Sequence, residues 1–81
     1  MTIDQLRKGS DFHRVERISD SAFEIRPANE TEECLQRFHI IVHAAIESAA
    51  QNGYQVRPHP SDSDPKGRWG MAVITAAARS V

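Results

Sequence analysis

A single cysteine, Cys34, stands in this chain. A lone thiol closes no intrachain disulfide, so the fold is not one of the small secreted frameworks held together by such bridges. No apolar run reaches the length of a membrane span, and the opening stretch MTIDQLRKGS has no apolar core of the kind a secretory leader requires. These two absences point to a soluble protein of the reducing cytoplasm. Charge of one sign is also scarce, because 10 Lys and Arg stand against 11 Asp and Glu for a formal net charge of -1. Affinity for nucleic acid rests largely on neutralising phosphates, so this balance leaves only a locally basic face to argue for it. Neither an internal repeat nor a heptad series is present. With 81 residues, the chain has room for one domain that buries about 60 to 65% of the surface its unfolded form exposes.

What is present is most informative between Ala28 and Gly53. Leu35, Phe38, Ile41, Val42, Ala45, Ile46 and Ala49 recur three and four positions apart, and Glu32, Gln36, His39, His43 and Glu47 fall on the other side. That spacing predicts an amphipathic helix with one buried face. Asn29 with Glu32 three residues later reads as its capping pair, and Asn52-Gly53 as its stop. Cys34 falls on the apolar stripe and reads as core.

The remaining segments are shorter. Thr2 with Gln5 forms a small capping box ahead of Ile3 and Leu6, so residues 1–10 are expected as a short helix or a frayed arm. FHRVERI and SAFEIRP, separated by the turn cluster Ser19-Asp20-Ser21, read as a hairpin that Pro27 ends; the alternative makes residues 11–18 a second helix. After the helix, Tyr54 to Arg57 alternates as a strand that Pro58 stops, and residues 58–67 form a surface loop rich in turn residues. RWGMAVITAA is apolar on both sides, as befits a central strand, and a loose tail closes the chain at 77–81. The predicted fold class is α+β, (α)ββαββ, with one long helix on one face of a mainly antiparallel sheet.

One helix covers one face, so the other face is expected to be open. Strand alternation with Val15, Phe23, Ile25, Tyr54, Val56, Trp69, Met71 and Val73 toward the helix sends Arg14, Glu16, Ile18, Glu24, Arg26, Gln55, Arg57, Arg68, Gly70, Ala72 and Ile74 outward. Arginine beside exposed aliphatics is the composition of a protein-docking or dimerisation patch. The same charges, Arg14 with Glu24 or Glu16 with Arg26, also suit plain cross-strand ion pairs on a solvated sheet. Partner-contacting candidates are Arg14, Arg26, Arg57, Arg68 and Ile74, with Ile40 and His43 as a second patch on the helix.

Chemistry-bearing motifs are few. His39 and His43 sit four apart, a spacing that suits a shared metal ion, yet Ile40 occupies the position where a zinc protease carries its glutamate. Asp62 and Asp64 open no calcium loop, since Pro65 and Lys66 stand where oxygen ligands belong. Gly67 precedes no helix, so no phosphate loop is formed. No catalytic constellation and no cofactor are expected. The functional expectation is a small protein-binding module, a regulator or inhibitor docking on a larger protein through the open sheet face and the 58–68 loop, with homodimerisation as a further option. The alternatives are an RNA or single-stranded DNA accessory protein and a metal-binding protein using His39 and His43.

Overall fold

The computed structural model describes residues 2–76; the expected tail at 77–81 lies outside them. Six elements follow in the order α1 (Ile3–Lys8), β1 (His13–Arg17), β2 (Ala22–Pro27), α2 (Glu32–Asn52), β3 (Tyr54–Pro60) and β4 (Trp69–Ala76). The four strands form one sheet in the order β1-β2-β4-β3, with every neighbouring pair antiparallel. β2 and β3 therefore run in the same direction, α2 carries the chain from one to the other, and β4 fills the gap between them, a split β-α-β arrangement. The α+β class and the (α)ββαββ order are as expected, and residues 13–17 are strand rather than helix.

Both helices lie on one side of the sheet. From α2, Cys34, Phe38, Ile41, Val42, Ala45 and Ala49 are buried, and they meet Phe23, Ile25, Ala72 and Ile74 from the sheet. Leu35 is only half-buried and Ile46 keeps 38% of its surface exposed, because both sit at the flank of the stripe rather than its centre. The helix begins two residues later than expected. Thr31 is the cap, accepting the Cys34 N–H, while Asn29 accepts from the Thr31 N–H and so shapes the approach. At the other end Gly53 takes φ +72° and its N–H returns to the Ala49 carbonyl, a left-handed closure that glycine adopts without strain. The Cys34 thiol is buried and donates to the Phe12 carbonyl.

α1 is anchored rather than frayed. Its capping box between Thr2 and Gln5 is formed, and Ile3 and Leu6 are buried. Beneath it lies His13, 1% exposed, with Nε2 3.0 Å from the Leu6 carbonyl and Nδ1 2.6 Å from the Ser10 hydroxyl. A carbonyl only accepts, so Nε2 donates to it, while Nδ1 pairs with the Ser10 hydroxyl. Both ring nitrogens are satisfied in a position that would be costly otherwise.

The largest departure from expectation concerns β4. Ala72 and Ile74 are fully buried against α2, whereas Met71 and Val73 are half-buried on the opposite side. The register shows why: His59 pairs with Met71 but Pro60 pairs with Trp69, so one extra residue is accommodated at Gly70. A bulge of this kind switches which side the following residues face. Trp69 thus faces the helix as expected, and the strand beyond it has the reverse alternation. Gly70 fits there because a β-carbon would come within 3.1 Å of Ser61. β3 also runs through Pro58 to Pro60 instead of stopping at Pro58, which an edge strand tolerates because it needs fewer N–H donors.

This alternation has a measurable consequence. Ile74→Ala should lower unfolding free energy by about 2 to 5 kcal/mol, as expected for a buried branched aliphatic. Val73→Thr should cost less than about 1 kcal/mol, the ordinary range for a position away from the core. Chemical denaturation of both variants measures the difference, and equal losses would contradict the assigned faces.

Candidate functional site

The side of the sheet away from α1 and α2 presents its residues in rows set by strand register. One row runs Glu16, Glu24, Val73, Arg57 across β1, β2, β4 and β3. The next places Arg14 opposite Arg26 and Met71 opposite His59, and on the other side Ala22, Thr75 and Gln55 align. Like charges therefore face one another across β1 and β2, a pairing that is unfavourable by itself. It is relieved along β2, where Arg26 Nε donates to Glu24 Oε1. That contact raises the Arg26 pKa, first through the hydrogen bond and then through the charges of Glu24 and Glu16. The expected cross-strand pairs Arg14 with Glu24 and Glu16 with Arg26 are diagonal neighbours, and the ion pair that forms lies within one strand. Met71 and Val73 make a half-buried apolar seam between these charges and β3.

Beside one end of this face lies a groove of about 650 Å³, walled by Arg14 and Arg26, by Asn29 and Glu32, and by Ser61 and Lys66 of the 61–68 loop. The loop is fastened by Arg68. Its Nη1 and Nη2 donate to the two oxygens of Glu32 at 2.8 and 3.0 Å, and its Nε donates to Asp64 Oδ2 at 2.6 Å. Two-pronged pairing of this kind fixes geometry as well as charge. Lys66 Nζ adds a further bond to Glu32 at 2.8 Å, and the Ser61 N–H closes the loop base on the Arg68 carbonyl. The hydrogen bonds from Arg68 and then Lys66 pull the Glu32 carboxyl down to about 2. Asp64 is likewise lowered, chiefly by its bond from Arg68.

His39, on the flank of α2 nearest this loop, stacks on Trp69 with ring centres 6.0 Å apart. Its Nδ1 accepts the Trp69 backbone N–H at 3.3 Å, and its Nε2 lies 3.2 Å from His43 Nε2. With Nδ1 accepting, the proton of the neutral ring sits on Nε2 and is donated to His43. A metal ion held between the two Nε2 atoms would need that proton moved to Nδ1, directly against the Trp69 N–H. No group of three or more metal-ligating side chains gathers among the described residues. Burial first, then the His43 and Arg68 charges, lower the His39 pKa. The Trp69 indole Nε1 is buried without a hydrogen-bond partner among the described residues.

Of the residues picked out from the sequence, Arg14, Arg26 and Arg57 reach the open face. Arg68 and Ile74 do not. Arg68 is 8% exposed and engaged by Glu32 at the start of α2 and by Asp64 of its own loop, and Ile74 is in the core because the bulge reverses β4. Ile40, 55% exposed, and His43 lie on the helix, on the other side of the molecule from the sheet face, so the two patches form no common surface. The residues missed are Met71 and Val73, which take the places assigned to Ala72 and Ile74. A glycine inside a strand pattern opposite a proline-containing edge is the signal that could have found them. No helix among the described residues is long and apolar enough to cross a membrane. No protein-family model, curated protein or solved structure matches the chain, so the functional reading rests on this geometry.

Two pH dependences follow. A histidine whose folded pKa is lowered from 6.5 favours the neutral folded state, so its contribution is present above that value and falls as the unfolded chain takes up the proton. The thermal midpoint should therefore drop on acidification below pH 6.5, and His39→Gln should flatten that slope. The Glu32 contribution is present above 4.5 and is lost as pH falls toward about 2. Glu32→Gln should remove part of the acid limb, and melts across this range by circular dichroism measure both effects.

Proposed function

We propose that this chain is a protein-binding module whose contact surface is the open sheet face. The observation that carries the reading is the row structure of that face, where the half-buried Met71 and Val73 are flanked by Arg14, Arg26, Arg57, Glu16 and Glu24. An apolar centre with a charged surround is how contact patches between proteins are built. The sheet edges favour the face over lateral strand addition. β3 carries Pro58 and Pro60, and β1 is five residues long with Arg14, Glu16 and Arg17 among them, both devices that discourage pairing with another strand. A regulator or inhibitor is the role such a module would fill.

Nucleic-acid binding is the weaker reading. Stacking of bases needs rings on the binding surface, and Phe23, Tyr54 and Trp69 all lie on the helix side. Glu16 and Glu24 would also repel a phosphate backbone.

Affinity capture from the native host with tagged protein tests the docking role. A specific protein retained by the wild type should be lost with Val73→Asp and with Arg57→Glu while Ile40→Asp, on the helix, still retains it. Melting curves establish that each variant is folded. Equal capture by all of them would remove the open face from consideration.

A further inference from the structure

We infer that the partner seated on the open face is a second copy of this chain, an inference that rests on the docking role proposed for that face. The argument is charge self-complementarity. The row Glu16, Glu24, Val73, Arg57 is neighboured by one in which Arg14 faces Arg26 and Met71 faces His59. A twofold axis lying across the strands between these rows lays each row of one copy on the other row of its mate. Glu16 then meets Arg14 of the second copy, Glu24 meets Arg26, and Val73 meets Met71. Arg57 falls opposite His59, so no arginine meets an arginine and no glutamate meets a glutamate across the pair.

Two unfavourable oppositions stand on this face, Arg14 against Arg26 and Glu16 against Glu24, and among the described residues the ion pair these four side chains make is Glu24 with Arg26. In the paired arrangement every one of these four side chains gains an opposite charge from the other copy, and the apolar seam is covered at the same time. A partner of one dominant charge would satisfy one row and be repelled by the other. A twofold arrangement is also the commonest symmetry for identical chains, because one self-complementary patch serves both sides.

Size is consistent with a modest complex. A standard interface takes roughly 800 Å² from each partner, a small share of the 5608 Å² accessible surface of this chain. Four strands spaced ~4.8 Å apart with ~3.3 Å per residue give a face of roughly 20 Å by 20 Å, about half that area in flat projection and so the size of a weak contact. The dimer is therefore expected at micromolar concentration and to weaken with salt, since its charged contacts lie partly in solvent.

Sedimentation equilibrium of the full chain at low salt, over about 1 to 100 µM, decides the matter. The wild type should approach twice the 9.1 kDa chain mass. Glu24→Arg alone and Arg26→Glu alone should each raise the dissociation constant at least about tenfold, the scale of a contact turned repulsive. An equimolar mixture of the two should restore dimers, because each introduced charge then faces its opposite on the other chain while the repulsion within each chain persists. Should either variant lose its folded circular dichroism spectrum, Glu16→Arg and Arg14→Glu on the edge strand provide the same mixture. A wild type that stays monomeric throughout, or folded variants that dimerise as well as it does, would overturn the proposal. If the monomer still captures another protein through Val73, the docking role stands without self-association; if capture is also indifferent to Val73, both fall.

Discussion

Everything in this molecule is arranged around a helix whose apolar stripe is wide enough for only one side of a sheet. Phe38, Ile41, Val42, Ala45 and Ala49 seat α2 against Phe23, Ile25, Ala72 and Ile74. α1 extends that cover toward β1, where Ile3 and Leu6 close over His13. Among the described residues no second long helix covers the reverse side, and the burial of apolar area that a small domain can achieve is limited accordingly. The open face is thus a consequence of size and connectivity.

The crossover from β2 to β3 has a further effect. β4 must slot between strands that run the same way, and its entry is controlled at a single place, the cluster of Arg68 with Glu32 and Asp64. This cluster ties the first turn of α2 to the loop that leads into β4, immediately before the Gly70 bulge. The bulge in turn decides which residues of β4 go inward. Loop anchoring, strand alternation and the character of the exposed face are therefore linked, and a fault at the loop would be felt on the surface opposite the helix. The stacked pair of His39 and Trp69 closes the same corner.

The position of the charges on the open face can be understood from the same linkage. On β1 and β2, alternation is undisturbed, so Arg14, Glu16, Glu24 and Arg26 point outward as a simple period of two demands. On β4 the alternation is displaced, bringing Met71 and Val73 out and taking Ile74 in. Without the bulge the outward seam would have held Ala72 and Ile74, and Met71 and Val73 would have been turned against α2. Small Ala72, fully buried beneath the helix, permits close approach there.

Local periodicity alone was enough to define α2, β2, the capping of α1 and the outward placement of Arg26 and Arg57, because each depends on neighbours within a few positions, whereas β1, open between strand and helix, was decided by its pairing with β2. The α+β order followed from these pieces and from the brevity of their connections. The true cap at Thr31 lay beyond that reach only slightly, since Asn29 is an equally good capping residue and the choice depends on how the chain leaves β2. The burial of Arg68, the inward turn of Ile74 and the stacking of His39 on Trp69 were of another kind. They depend on which strand lies beside which, on a one-residue mismatch between β3 and β4, and on a helix start meeting a loop more than thirty residues away. Contacts between distant segments leave no period in the residues that make them, so only the assembled tertiary structure decided them.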